Sequence, residues 1–357
     1  MNFVLTEEQE MIRDSAREYA ERFLKPNSAR WDREETFPEE AVKAAAENGF
    51  LGLVIPEEYG GAGLGNLHAS ILLEEANRWC ASTGVTLSVH LSLVSSPLIR
   101  FGTEAQKKKY LPRMATGELL GAYCLTEPRA GSDAAALRTT ARKVEGGWVI
   151  HGHKAWITNS THAGLFIVYA LTEPEGRRGR NIGAFIVERG FEGVEIGKKE
   201  PKLGIRASST TEMIFNNVFV PDENLLGEPT GGFQVALDTL DGGRIGIASQ
   251  SVGIHRACLE DSVRYAKERE QFGKPIGRFQ AIAWKLADMA TELEASRLLT
   301  HRAAWLRDQK QACRKEASMA KLYASRACNR AAQEAVQIHG GAGYTNEFPV
   351  ERYSRDA

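Results

Sequence analysis

The strongest constraint on this 357-residue chain is a double change of hydrophobic period. From Leu5 to Met114 the apolar residues recur at helical spacing. From there to Pro221, short runs of Val, Ile, Phe, Tyr and Thr are broken by Gly, Asn and Pro, the pattern of strands and turns. Helical spacing returns at Gly232 and continues to the end. A period suited to one kind of element cannot bury the face of the other. The chain is therefore expected to be α+β and mainly α, with helices on either side of a small β unit.

The stretch that opens the β segment is Tyr123 to Asp133, YCLTEPRAGSD, followed at a distance by Trp156-Ile157-Thr158. A strand-like entry from Ala122 to Leu125 runs into the polar, turn-forming Thr126, Glu127, Pro128, Gly131 and Ser132. Backbone N–H groups and hydroxyls on such an edge suit a polar, planar ligand. A turn of this kind, taken alone, is more often only a turn.

Thr6 and Gln9 form a plausible capping box for a first helix reaching about Leu24. A second fits Pro38 to Asn48, and others fit Asn66 to Arg78, Thr83 to Phe101 and Glu104 to Met114. Gly60-Gly61-Ala62-Gly63 is a glycine-rich loop without the spacing of a dinucleotide-binding turn or a P-loop. Gly147 to Asn159 reads as a hairpin arm and its return. Leu165–Leu171, Ala184–Glu188 and Thr210–Val220 are further strands, with a polar loop from Glu173 to Arg180. The final third predicts long helices over Phe233–Glu270, Arg278–Lys310 and Cys313–Gln337, joined by short links as in an antiparallel bundle. Domain limits of 1–118, 119–229 and 230–357 follow.

Charge excludes some classes. Forty-five basic residues against 46 acidic give a net charge of −1, which does not favour nucleic acid or an anionic membrane. The 5 cysteines are scattered and form no CxxC pair, as expected of reduced, packed thiols in a cytosol-like compartment. The amphipathic, acidic start has no basic n-region, and no uninterrupted apolar run is of bilayer length. A cytoplasmic protein is the expectation.

His151 and His153 share a strand face but lack a third ligand at a useful spacing, so no metal is expected. Ser208-Ser209 lacks a nucleophile elbow. Asp241-Gly242-Gly243-Arg244 puts two glycines inside a helical pattern, at about 1 kcal/mol each, which suggests a break between helices or close approach by a ligand. Arg269-Glu270-Gln271-Phe272-Gly273 sets a guanidinium and a ring beside a turn. It could hold a phosphate and a base, or it could be a helix C-terminal cation. Gln337-Ile338-His339-Gly340-Gly341-Ala342-Gly343 ends a helix in more glycine than capping needs, and its N–H groups could hold a pyrophosphate.

Together these pieces resemble the acyl-CoA dehydrogenase family over essentially the whole chain. The resemblance rests on YCLTEPRAGSD, Trp156-Ile157-Thr158-Asn159, the run Lys202 to Ser208, Arg269-x-x-Phe272-Gly273, Gln280, and QIHGGAGY ahead of Arg352-x-x-Arg355-Asp356. The short-chain and branched-chain members look closest. It implies an N-terminal helical domain, a central β-barrel-like domain and a C-terminal four-helix bundle, FAD bound non-covalently, and a homotetramer or at least a dimer. By position, Tyr123, Cys124, Leu125, Thr126, Gly131 and Ser132 with Trp156, Ile157 and Thr158 would hold the isoalloxazine ring. Thr126 and Thr158 would bond its heteroatoms, and Trp156 would pack on its face. Arg269, Phe272 and Gln280, with Gln337, Ile338, His339, Gly340 and Gly341, would bind the adenosine and pyrophosphate end across a subunit boundary. Ser132 and Asp241, Gly242, Gly243 and Arg244 would line the acyl-CoA side. The reaction implied is oxidation of a short or branched acyl-CoA to the trans-2-enoyl-CoA, with electrons passed to an electron-transferring flavoprotein. A flavin oxidase or monooxygenase of the same fold is the alternative. A catalytically silent FAD-binding protein is a third, preferred only if Ala357 is the true C-terminus.

One departure stands out. The family's usual base, a glutamate in a Tyr-Glu-Gly-Thr-type segment after the Arg-Asp-Ala run, is not among these residues. Here that run ends at Ala357, so the glutamate is expected beyond Ala357 in a longer natural chain. The position that carries the base in a minority of members is Gly243. The base is therefore left unnamed.

Overall fold

The computed structural model describes residues 4–173 and 175–357, so Pro174 of the polar loop lies outside them. The first helices are α1 (Glu7–Tyr19), α2 (Ser28–Glu34), α3 (Glu39–Glu47), α4 (Asn66–Trp79), α5 (Ala81–Ser88), α6 (Ser96–Phe101) and α7 (Glu104–Ala115). The Thr6 capping box is present: Gln9 N donates to Thr6 Oγ1 at 3.3 Å and Thr6 N to Gln9 Oε1 at 3.0 Å. A π-helical stretch, Val89–Ser95, fuses α5 and α6. The resulting run, Ala81–Phe101, is long and apolar enough to cross a bilayer, which counting uninterrupted apolar residues does not reveal. With 72% of its apolar window buried inside the fold, it is a core helix here.

The strands are β1 (Gly121–Cys124), β2 (Thr140–Val144), β3 (Gly147–Thr158), β4 (Leu165–Leu171), β5 (Ile182–Glu188), β6 (Val194–Lys199), β7 (Thr210–Pro221) and β8 (Leu225–Leu226). Their order is β6-β7-β3-β2-β4-β5-β8, with β1 parallel on β4. β2 and β4 share the single pair Thr140↔Leu171, and the sheet folds over at that joint. Phe166, Val168 and Ala170 of β4 then meet Ile150, Met213, Phe215 and Val218 in an enclosed core. The alternate residues Leu165, Ile167 and Tyr169 pack on Leu98, Tyr110 and Met114 of the helices. Burial on both faces explains why LFIVYAL is a continuous apolar run rather than an alternating one.

Gly147 to Thr158 is one strand and not a hairpin. Its pairing with β7 slips twice, between Ile150 and Gly152 and between Lys154 and Ile157. These bulges bend the strand where the sequence suggests a reversal. The antiparallel partner that makes the hairpin is β2.

The last helices are α8 (Gly232–Glu268), α9 (Gln280–Asp308), α10 (Arg314–His339) and α11 (Val350–Asp356). α8 packs on α10, α4 and α9, and α4 also lies on α9. Buried charges join these layers. Glu74 of α4 meets Arg297 at 2.8 Å, and Glu75 meets Arg17 and Arg256, each at 2.9 Å. Such carboxylates are tolerated because each faces a guanidinium. Asp308 at the end of α9 caps α4, accepting from Asn66 N at 2.6 Å and Leu67 N at 3.0 Å.

The segment Lys202–Ser208 and the Arg355-Asp356 pair, far apart in sequence, dock together. Ile205 holds a left-handed φ of 52°, costly for a β-branched residue, and its N–H donates to Asp356 Oδ1 at 2.6 Å. Arg355 is paired with Asp32 at 2.6 Å. Ala357 caps α11, its N–H donating to Tyr353 O at 2.9 Å, and its half-buried side chain packs against the core of Ile338, Val350 and Tyr353. A Cβ on Gly204 would lie 1.9 Å from the Arg355 carbonyl oxygen. Gly204→Ala is therefore expected to cost on the order of 2 kcal/mol or more in chemical denaturation. An unchanged midpoint would contradict this packing. Burial pushes the Asp356 carboxyl up to about 6. The folded chain then holds a proton that the unfolded chain releases near pH 4, so this group's contribution to stability falls as pH rises from about 4 to about 6. Asp356→Asn is expected to flatten that part of the stability–pH curve, and an unaltered curve would refute the assignment.

Candidate functional site

β1 delivers its side chains alternately to two cores, and only what lies beyond it faces outward. Cys124 is buried inside the β unit and Leu125 in the helix-facing core. Ile157, two percent exposed, joins Cys124. These residues can meet a ligand only through their backbones. Burial pushes the Cys124 thiol up to about 12, which leaves it neutral and unreactive. The Tyr123 ring packs 5.2 Å from Tyr169, and its hydroxyl is buried without a partner.

The surface is left to Thr126 and Thr158, both half-buried, and to the exposed Gly131, Ser132 and Trp156. Trp156 is 61% exposed with a φ of 61°, an uncommon conformation for so bulky a residue. It occupies the second bulge of β3, so its indole is pushed out of the sheet beside the turn at Thr126. Ala155 N donates to Thr126 O at 2.9 Å, which joins the two segments directly. Asn159 adds a second tie: its Nδ2 donates to Thr86 O and Gly121 O, each at 3.1 Å. Ser132 adjoins Asp133, which is ion-paired with Arg178 of the polar loop.

A second group forms at the other end of the long helices. Arg269, Phe272, Gln280, Gln337, Gly340 and Gly341 are exposed to differing degrees. They are gathered because Tyr265 of α8 stacks on His339 of α10 with ring centroids 4.2 Å apart. His339 and Ile338 point their side chains into that packing, so they too offer only backbone. Phe272 is 93% exposed at a φ of 55°. Among the described residues, no hydrogen bond, ion pair or ring contact joins this group to the first.

Asp241–Arg244 lies within the unbroken α8, so of the two alternatives, a helix break or close approach by a ligand, the break is ruled out. The glycines have a packing reason instead. A Cβ on Gly243 would fall 2.8 Å from Leu93 Cδ2, and one on Gly242 would meet the Arg307 guanidinium at 3.3 Å. Asp241 is held by Arg244 at 2.5 Å and by Arg314 at 3.4 Å. Beside this face is a cavity of about 270 Å³, lined in part by Leu73, Ser88, Leu91, Ile245 and Gly246. Among the described residues no cluster of His, Cys, Asp and Glu could hold a metal ion.

The catalytic base stays unassigned by the geometry as well. Gly243 has no side chain to act as one, and the Ala357 methyl is packed on Tyr353 and its neighbours.

Other glycines have no packing reason. A Cβ on Gly131, Gly340 or Gly341 would meet nothing within 4 Å. Open space over glycines in both groups, beside exposed rings and a guanidinium, fits an elongated ligand with an aromatic part and a phosphate part.

Models of the N-terminal, middle and C-terminal domains of acyl-CoA dehydrogenase match residues 6–118, 122–218 and 230–357. The chain belongs to the acyl-CoA dehydrogenase family. It is thus an enzyme of an oxidoreductase family. It is 49% identical over 353 residues to the mitochondrial short-chain specific acyl-CoA dehydrogenase of Rattus norvegicus, covering 99% of this chain and 85% of that protein. The short-chain specific acyl-CoA dehydrogenase of Clostridium acetobutylicum is 46% identical over 358 residues, covering 100% of this chain and 94% of the relative. The structure of butyryl-CoA dehydrogenase from Megasphaera elsdenii superposes with a TM-score of 0.98 at 42% identity, covering 100% of this chain and 94% of the other. A chain from a structure described as the electron transferring flavoprotein of Acidaminococcus fermentans also gives 0.98, at 45% identity, covering 99% and 93%.

Sequence reasoning named Glu127 as a turn former and Asn159 within a motif but gave neither a supporting role, and it passed over Lys154; these three hold the first group together from beneath. The signal was available for Lys154, a lysine directly ahead of the apolar Ala155-Trp156-Ile157 in a predicted strand.

Proposed function

We propose that the protein is an FAD-dependent dehydrogenase of short-chain acyl-CoA thioesters. The observation that carries the reading is the pair of outward-facing groups, Thr126–Ser132 with Trp156 and Thr158, and Arg269–Phe272 with Gln337–Gly341. Each has an exposed ring and a glycine under open space, Gly131 in one and Gly341 in the other, while Gly340 is also required by its left-handed φ of 58°. Trp156 would pack against a flavin ring face, and Thr126 and Thr158 would bond its heteroatoms. Arg269 would pair with phosphate, Phe272 would cover the adenine, and the N–H groups of Gly340 and Gly341 would hold the pyrophosphate. Bound FAD supplies the hydride acceptor for the substrate's β-carbon.

Ser132 and the Asp241–Arg244 face of α8 hold the thioester against the ring, and the cavity beside Gly242 and Gly246 is room for a short acyl chain. The chain's own contribution is orientation and exclusion of water around the bond to be oxidised. No carboxylate stands at Gly243, so the α-proton acceptor is not assigned to that helix.

The two groups serve one cofactor across a subunit boundary. That arrangement is supported by the apolar surface left open on the bundle and its links: Phe272 at 93%, Tyr344 at 88%, Trp284 at 64%, Leu322 at 51% and Trp305 at 48% exposure. A homotetramer of the family's kind would cover it. Reduced enzyme passes its electrons to an electron-transferring flavoprotein, in keeping with the Acidaminococcus fermentans neighbour.

Anaerobic mixing of the holoprotein with butyryl-CoA is expected to bleach the flavin absorbance. Failure with butyryl-CoA and every other acyl-CoA, alongside rapid O₂ consumption with another reductant, would instead indicate an oxidase or monooxygenase. Arg269→Ala is expected to lose FAD at unchanged far-ultraviolet circular dichroism, and full FAD occupancy would contradict the phosphate role. Trp156→Ala is expected to weaken FAD binding and shift its absorbance, whereas an unaltered spectrum would exclude ring stacking.

A further inference from the structure

Lys154 sits in the middle of β3 with a side chain that has no exposed surface. An ammonium so placed is stable only if it is met by charge and hydrogen bonds. Its Nζ donates to Glu127 Oε1 at 2.8 Å and to Leu125 O at 3.2 Å. Glu127, six percent exposed, spends its remaining capacity on backbone: Oε1 accepts from Thr139 N at 2.9 Å and Oε2 from Arg138 N at 2.6 Å. One charge pair thus ties the exit of β1, the approach to β2 and the bulge of β3.

The neighbours of these two ions are the outward-facing residues of the first group. Thr126 adjoins Glu127, and Trp156 lies two residues beyond Lys154. Between Lys154 and Ile157 the register slips, and both of these side chains are buried. Trp156 is therefore forced outward and into its left-handed conformation by anchors on either side. Strain of this kind persists only where the surroundings over-determine it.

We propose that the Lys154–Glu127 pair is the positioning device of the flavin site. It fixes Thr126 and Trp156 relative to one another, so that the ring pocket is formed before the cofactor arrives. The inference rests on the assignment of these segments to FAD. Neither ion touches the ligand; both act through the residues beside them. Preorganisation of this kind removes the ordering cost from the binding step.

The test compares wild type with Glu127→Gln and with the double variant Lys154→Met/Glu127→Gln. Gln keeps an acceptor for the Thr139 or Arg138 N–H, and the double variant leaves no unpaired charge. Removing both charges avoids the larger cost of stranding one of them, although one backbone N–H loses its acceptor. The double variant is therefore expected to fold and melt below wild type, and to bind FAD at least ten-fold more weakly and with an altered flavin absorbance envelope. A merely structural role would not change the absorbance of the FAD that does bind. FAD affinity within two-fold of wild type and an unchanged envelope would overturn the proposal. Should the double variant fail to fold, the same two readouts on Glu127→Gln decide it. Wild type that binds no FAD would overturn the functional reading, and this inference with it.

Discussion

An ammonium buried in the middle of a strand must be met by a carboxylate, and meeting it dictates where the turns of the β unit lie. Glu127 is drawn beneath β3 by Lys154, and its own oxygens then fix the backbone at Arg138 and Thr139. With those points set, the turn from Thr126 to Ala130 cannot drift away from the bulge at Trp156. Asn159 extends the constraint to the helices, because its amide spans Thr86 O and Gly121 O. The first ligand-facing group is thus an exposed edge on a buried polar scaffold, as expected where a site must be both accessible and rigid.

The second group depends on a different constraint, the length of α8. This helix runs from the face that bears Asp241 to the end that carries Arg269. It accommodates Gly242, Gly243 and Gly246 because Arg307, Leu93 and Ser88 press against those positions. The helix-propensity cost of the glycines is offset by the close packing they permit. Glu74 and Glu75 then lock α4 to α1, α8 and α9 through arginines. One rigid body results, with the two ligand-facing groups held apart. No contact within the described residues brings them together.

Much of this is legible in the sequence. The long helices and the strands at Leu165–Leu171, Ala184–Glu188 and Thr210–Val220 follow from period, whereas β6 and β8 do not. Gly147 to Asn159 reads wrongly as a hairpin arm and its return, whereas it is a single strand that two bulges bend without ending. The glycines of Asp241–Arg244 suggest a break because propensity carries no information about what packs against a helix. Cys124, Leu125, Ile157, Ile338 and His339 belong to the two candidate segments, but their side chains face inward, and only the burial pattern reveals it. Lys154 shows the limit most clearly. Its oddness is visible in the sequence, while its partner 27 residues away is not.

We propose that one FAD site is built from Thr126–Ser132 and Trp156–Thr158 of one subunit and Arg269–Phe272 and Gln337–Gly341 of another. Co-expression of differently tagged Trp156→Ala and Arg269→Ala chains tests it most directly. In a mixed assembly one boundary carries both lesions and the other carries neither. The account predicts that doubly purified mixed assemblies recover tight FAD binding that neither variant shows alone. No recovery in the mixed assemblies would place both groups in the same subunit's site and contradict it.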